Sequence, residues 1–145
     1  MFKRLLVLLD GSGLGSRTLK YATELARCFN AKIVLLRVIQ LAKPIAATGG
    51  VALGIASPST AELAVLATPE EDKRNTTRAR RYLSSKARTM KSQNIKTSYK
   101  VVLGEPARSI MAFSKQEKID LVAMTTHGRS GLRRAVMGSV VDAVI

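Results

Sequence analysis

The stretch that decides the fold is FKRLLVLLD, residues 2–10. Two basic residues lead into the apolar run Leu5 to Leu9, which stops at Asp10. Short continuous apolar runs are typical of parallel strands that are covered on both faces. A secretory leader would need an apolar core of roughly 7–15 residues. We therefore interpret residues 2–10 as a buried first strand.

The segments that follow alternate between helix and strand patterns. GSGLGS, residues 11–16, predicts a turn, with Ser16 as the N-cap of a helix from Arg17 to Phe29 that Asn30 closes. Further elements are predicted at 32–39 (strand), 69–92 (helix), 95–103 (strand), 106–117 (helix) and 120–126 (strand). This order indicates an α/β fold with a doubly wound parallel sheet of about four or five strands and helices on both faces.

Local signals refine this outline. TPEE, residues 68–71, predicts a capping box with Thr68 as N-cap, and residues 41–67 are rich in Ala, Gly, Pro and Ser, which indicates a flexible loop. Cys28 falls in an apolar helical pattern and is expected to be buried. The residues expected to face inward from the 69–92 helix are Tyr82, Leu83, Ala87 and Met90.

Composition limits the class of protein. The 145 residues are 46% hydrophobic and 23% charged, which is typical of one globular domain spanning 1–145. One cysteine excludes an intramolecular disulfide and is consistent with a reducing compartment. No stretch approaches the roughly 18 apolar residues of a membrane span, so we expect a soluble, cytoplasmic protein.

The net charge of +14 favours anionic partners such as phosphates, nucleic acid or acidic lipid, without choosing among them. Residues 73–100 contain ten Lys or Arg and no acid. On a helix, five of them form a stripe: Arg74, Arg78, Arg81, Arg88 and Lys91. A solvated face and a polyanion-binding surface both fit this pattern. Aromatic residues are too sparse here for base stacking, since the segment has only Tyr82 and Tyr99.

The C-terminal stretch TTHGRSGLRRAVMGSVVDAVI, residues 125–145, carries three glycines that a continuous helix would not favour. Glycines let backbone N–H groups approach an anion, and a helix that opens at Gly138-Ser139 would present free donors to phosphate. No GKS or GKT follows, so this is not a Walker A loop. Arg129, Arg133 and Arg134 could contact phosphates or face solvent.

The sequence shows no recognisable set of catalytic residues. His127 is the only histidine and has no cysteine or carboxylate cluster near it, so we expect local hydrogen bonding rather than metal ligation. Ser12 and Ser16 have no convincing partner base, and nothing resembles a paired-carboxylate active site. We predict no catalytic residues.

The whole chain resembles the universal stress protein family. The stretches that carry the resemblance are LLVLLDGS (5–12), IVLLRVI (33–39), GEPARSI (104–110) and DLVAMTTHGRSGLRRAVMGSV (120–140). The family's nucleotide signature is Gly, two residues, Gly, nine residues, then Gly with Ser or Thr. Here Gly128 is the second glycine and Gly138-Ser139 end the pattern, whereas Thr125 replaces the first glycine. The implied fold is Rossmann-like, of the adenine nucleotide alpha hydrolase type.

The resemblance implies a site for ATP with Mg²⁺ or Mn²⁺. It places Asp10 and Val38 at the border of the adenosine, and Met124 and Thr125 alongside it. The residues implied in the phosphate loop are Gly128, Arg129, Gly131, Gly138, Ser139 and Val140.

The implied function is a nucleotide-dependent regulator or sensor of the stress response, with at most slow ATP hydrolysis. Two alternatives remain open: a nucleotide-free interaction module of the same fold, which Thr125 favours, and a basic polyanion binder that uses residues 73–100. Family members commonly pair into homodimers through a fifth strand after the last helix. This sequence ends at Ile145 within that helix, so the expected last strand is absent from it and dimerisation by that route is open.

Overall fold

The structure is a computed structural model that describes residues 1–40 and 69–125. Strands and helices alternate along the described chain. They are β1 (Arg4–Leu8), α1 (Gly13–Phe29), β2 (Lys32–Ile39), α2 (Pro69–Ser92), β3 (Thr97–Leu103), α3 (Pro106–Gln116) and β4 (Leu121–Ala123). None of the helices within these ranges is long and apolar enough to cross a membrane.

The four strands form one parallel sheet in the order β3-β2-β1-β4. β1 pairs with β2 on one side, where Leu8 lies opposite Leu36, and with β4 on the other, where Val7 lies opposite Ala123. The chain first adds strands on one side of β1 and then returns to its other side. Strand order therefore reverses beside β1, which is where ligands bind in open α/β sheets. The predicted doubly wound α/β fold is confirmed.

Side chains of β1 alternate between two cores, one on each face of the sheet. Leu5 and Val7 pack with α1 and α2, whereas Leu6 packs with α3. Because successive strand residues point to opposite faces, a strand buried on both faces must be apolar throughout. This explains the unbroken run in residues 5–9, and it confirms that helices cover both faces.

The start of α1 differs from the prediction. The helix begins at Gly13 with Ser12 as its N-cap, so Ser16 lies inside the first turns and is not the cap. The turn closes at Ser12 because Gly11 adopts a φ of 84° and the Asp10 carboxylate accepts a hydrogen bond from the Ser12 N–H. Asn30 closes the helix in the left-handed conformation, as predicted.

Cys28 is exposed, and the prediction that it is buried was wrong. The buried side of α1 is defined by Ala22 and Ala26. Cys28 comes two residues after Ala26, so its side chain lies about 200° around the helix from that face. Leu25 shows the same tendency, since 38% of it is exposed. Ala22 and Ala26 are thus buried against the sheet, and Leu19 packs partly buried beside them.

α2 ends at Ser92 as predicted, and it turns four side chains into the core, which are Ala79, Leu83, Ala87 and Met90. Tyr82 is partly buried and packs against the same core. β3 begins at Thr97, two residues later than predicted, although Ile95 before it is buried. The predicted capping residue Thr68 and the predicted loop at 41–67 lie outside the described residues.

Asp120 fixes β4 against the start of β1. Its carboxylate accepts hydrogen bonds from the backbone N–H groups of Lys3 and Arg4, each at 2.8 Å. Its own N–H donates to the Arg4 carbonyl at 3.0 Å. The hydrogen bonds from Arg4 and Lys3 lower the pKa of the Asp120 carboxyl, because they stabilise its charged form. These contacts help to fix the register between β1 and β4, and this register places the carboxyl ends of the two strands side by side.

Leu83→Ala should lower the free energy of unfolding by about 2–5 kcal/mol, because it removes a fully buried side chain and leaves a cavity. Leu25→Ala is the matched control, since it makes the same change on an exposed helical position. Urea denaturation of both variants measures the difference. Equal losses would contradict the assigned core face of α2.

Asp120→Asn should remove a stability contribution that depends on pH. Because the folded-state pKa is lowered, the parent gains stability above the ordinary carboxyl pKa of about 4 and loses it as pH falls through the folded value. The urea midpoints of parent and variant should therefore differ at neutral pH and converge under acid conditions. A gap that stays constant with pH would contradict this role of the carboxylate.

Candidate functional site

Predicted site residues from three neighbouring strands lie at the carboxyl edge of the sheet. Asp10 stands two residues beyond the end of β1, and Met124 and Thr125 directly follow β4. Because Leu8 pairs with Leu36, Val38 is two residues further along β2, level with Asp10. The parallel register thus brings these four residues to the same end of β2, β1 and β4.

Val38 and Met124 form an apolar border to this edge. Both are partly buried and pack against the core on the α3 side of the sheet. They belong to β2 and to the end of β4, which flank β1 on its two sides. Apolar surface with a few polar groups beside it is typical of small-molecule sites.

The turn from Asp10 to Ser12 joins β1 to α1. Asp10 Oδ1 accepts a hydrogen bond from the Ser12 N–H at 2.8 Å. Ser12 Oγ is buried and has no hydrogen-bond partner among the described residues. The N-terminus of the 17-residue helix α1 follows at once, so free N–H groups and a partial positive charge lie at the same edge.

Arg37 is a charged residue of this edge that sequence reasoning missed. Its Nη1 lies 2.9 Å from the position that a Cβ on Gly11 would occupy, so the guanidinium covers the glycine backbone. The guanidinium could move aside for a larger residue, but the φ of 84° at position 11 favours glycine. The available signal was a single charge within the apolar stretch IVLLRVI, residues 33–39.

Tyr82 reaches the same edge from α2. Its hydroxyl lies 4.0 Å from the Cβ position of Gly15, and Asp10 Oδ1 lies 3.9 Å from that position. Burial raises the pKa of Tyr82, the Asp10 carboxylate raises it further, and Arg37 opposes them. The hydroxyl therefore stays protonated at neutral pH. No sequence pattern indicated that Tyr82 lies near Asp10, because only the packing of α2 on the sheet brings the two residues to the same edge.

The turn after β3 has a structural role. Glu105 accepts hydrogen bonds from the N–H groups of Ala107 and Arg108 and so caps α3. Gly104 before it has a φ of 147°. The stretch GEPARSI is thus explained locally by a turn and a helix start.

The remaining predicted residues lie outside the described residues. They are Gly128, Arg129, Gly131, Gly138, Ser139 and Val140, and His127 belongs with them. Within residues 1–40 and 69–125, no three His, Cys, Asp or Glu side chains come close enough to hold a metal ion. The described part of the edge therefore offers one carboxylate acceptor, an apolar border and the positive end of α1.

Known proteins resemble the chain over its whole length. The profile described as the Universal stress protein family matches residues 1–145. Universal stress protein MJ0531 of Methanocaldococcus jannaschii is 25% identical over 145 residues, which is all of this chain and 76% of the relative.

Solved structures share the fold. Universal stress protein UspA from Lactobacillus plantarum superposes with a TM-score of 0.72 at 17% identity, over 97% of this chain and 91% of the other. The universal stress protein from Archaeoglobus fulgidus in complex with dAMP gives a TM-score of 0.61 at 17% identity, over 97% and 90%. With the full-length profile match, these likenesses lead to one conclusion: the chain belongs to the universal stress protein family.

Proposed function

We propose that this protein binds ATP together with Mg²⁺ at the carboxyl edge of its sheet, and that it acts in the cytoplasm as a nucleotide-dependent regulator of a stress response. The observation that carries the proposal is the meeting of Asp10, Val38 and Met124 where strand order reverses beside β1. The complex of the Archaeoglobus fulgidus relative with dAMP supports an adenine nucleotide as the ligand class.

Each residue of the edge has a role suited to its chemistry. The Asp10 carboxylate accepts hydrogen bonds from the ribose hydroxyls, and Val38 and Met124 pack against the base. Thr125 lies where the chain leaves β4 and enters the glycine-containing segment. The phosphates are contacted from that segment by Gly128, Arg129, Gly131, Gly138, Ser139 and Val140.

A divalent ion would be held mainly by the nucleotide rather than by a dedicated set of protein ligands. Mg²⁺ retains several waters and is commonly held by substrate phosphates and one or two carboxylates. Asp10 is the carboxylate at the described edge that could contribute to holding such an ion. Such an ion would offset the negative charge of the phosphates, while the protein's residues would orient the nucleotide.

The residues at the carboxyl edge are better suited to regulation by nucleotide binding than to catalysis of ATP hydrolysis. Asp10 is engaged with the Ser12 N–H, and the hydroxyl of Tyr82 is held protonated by burial and by Asp10. Neither group is set up as a base for water, so hydrolysis is slow at most. Binding of the triphosphate instead shifts the protein towards the conformation that contacts it, which a partner can recognise.

Gly138→Val should abolish stabilisation by Mg-ATP, because a branched side chain would occupy the space of the phosphates. A ligand specific for the native state stabilises it by about 2.7 kcal/mol at a hundredfold excess over its Kd. Thermal unfolding with and without millimolar Mg-ATP should show a shift in the parent and in the surface control Leu25→Ala, but none in Gly138→Val. No shift in the parent would favour the nucleotide-free interaction module.

Asp10→Asn should weaken Mg-ATP binding roughly tenfold or more, because it removes a charged acceptor for the ribose. Calorimetric titration measures the affinity. The same substitution should lower the pKa of Tyr82, since Asp10 raises it in the parent. Tyrosinate absorbance, with Tyr82→Phe to assign the step, reports this change. A lowered Tyr82 pKa with unchanged affinity would show that Asp10 does not contact the nucleotide.

A further inference from the structure

α2 concentrates positive charge to an extent that packing does not require. The helix carries eight Lys or Arg residues, whereas its three acids, Glu70, Glu71 and Asp72, all lie in its first turn. Acids in the first turn complement the positive end of the helix dipole. The rest of the helix, residues 73–92, has no acid to balance its cations.

Four of these cations form one exposed row, here named the basic stripe: Arg74, Arg78, Arg81 and Arg88. Their spacings of four, three and seven residues place them on one face of the helix. The opposite face is the one that buries Leu83 and Ala87 in the core. The stripe therefore points directly away from the sheet.

The basic stripe forms no ion pair within residues 1–40 and 69–125, and Glu70, one turn before Arg74, is the acid that lies beside it. The ion pairs within residues 1–40 and 69–125 are Arg4–Glu117 and Arg27–Glu24, and neither involves α2. Like charges four residues apart, such as Arg74 and Arg78, destabilise a helix by a few tenths of a kcal/mol. The row thus has a small cost in the free protein and forms no ion pair in the described part of the chain.

We propose that the basic stripe binds the phosphate backbone of double-stranded nucleic acid, independently of base sequence. Arg74 and Arg88 are about 21 Å apart along the axis, at 1.5 Å per residue. One strand of a duplex places a phosphate every 3.4 Å or so along its axis, so about six phosphates match this length. Thr77 and Arg81 line a shallow groove of about 540 Å³ beside Arg74 and Arg78, with Glu70 also on its wall.

The chemistry of the stripe favours a duplex over a membrane. Interfacial helices insert an apolar face into lipid, but the apolar face of α2 is buried in the core. Between the arginines, the exposed face carries Thr77 and Ser85, and no large apolar side chain. Arginine and hydroxyl groups are typical donors to nucleic-acid phosphates.

A single strand is a poorer match than a duplex. Sequence-tolerant binding of single strands depends on aromatic side chains on which bases stack. The one aromatic residue of α2, Tyr82, is partly buried and packs against the core, with Lys86 over its ring at 5.6 Å. The stripe therefore offers charge and hydrogen-bond donors without a stacking surface.

The experiment is fluorescence anisotropy with a labelled DNA duplex of about 20 base pairs and mixed sequence, at several salt concentrations. The stripe variant replaces Arg74, Arg78, Arg81 and Arg88 with Glu. The control variant replaces four exposed cations elsewhere, Lys20, Lys32, Arg108 and Lys115, with Glu. Each set lowers the formal net charge from +14 by eight, to +6.

The stripe variant should lose at least about a hundredfold in affinity, whereas the control should lose much less. In the parent, the slope of log affinity against log salt should be about −3 to −4 for four phosphate contacts, and the stripe variant should lose most of it. Circular dichroism checks the fold of each variant. If either reversed set does not fold, Arg→Gln and Lys→Gln versions provide the same comparison.

Equal losses in the two variants would overturn the proposal, because net charge rather than the stripe would then control binding. Tighter binding to a single strand of the same sequence would also overturn it. So would binding to phosphatidylserine vesicles with no binding to the duplex. Gly138→Val should leave duplex affinity unchanged, which separates this surface from the proposed nucleotide site.

Discussion

Burial of β1 on both faces is the constraint on which the rest of the structure depends. Leu5, Leu6 and Val7 are at most 1% exposed, and β1 pairs with β2 and β4 on its two sides. A strand in this position has no edge and no solvent face. Among the described elements, helices cover both faces of the sheet around β1: α1 packs on β1 and β2 and α2 on β2 and β3 on one face, and α3 packs on β2 on the other.

The same constraint defines where a ligand can bind. Since the strands are parallel, all of their carboxyl ends lie at one edge of the sheet. In the order β3-β2-β1-β4 the direction of strand addition reverses beside β1, and a crevice for a ligand forms at such a point. The polar residues that end β1 and begin α1 therefore lie next to the end of β4. Asp10, Gly11 and Ser12 form a turn that brings the start of a long helix to this edge.

α2 illustrates how one helix can serve two purposes. Its apolar face completes the core and delivers Tyr82 to the carboxyl edge, where burial and Asp10 raise the pKa of the hydroxyl. Its outer face contributes nothing to the core and carries the basic stripe. Because the arginines of the outer face do not pack in the core, we expect substitutions of them to leave the core face of α2 intact.

The sequence by itself determined the order of elements, the parallel α/β class and the ends of β2 and α2, because apolar runs and cap residues are local signals. It also indicated that Asp10, Val38 and Met124 belong to strand ends.

Tertiary structure decided the rest. Ser16 lost the N-cap position to Ser12 because Asp10 and Gly11 make a shorter turn. Cys28 lies outward because it is two residues past the buried Ala26, about 200° around the helix from the face that meets the sheet. The positions of Arg37 over Gly11 and of Tyr82 near Asp10 depend on side chains that are distant in sequence, and only packing of α2 and β2 around β1 brings them together.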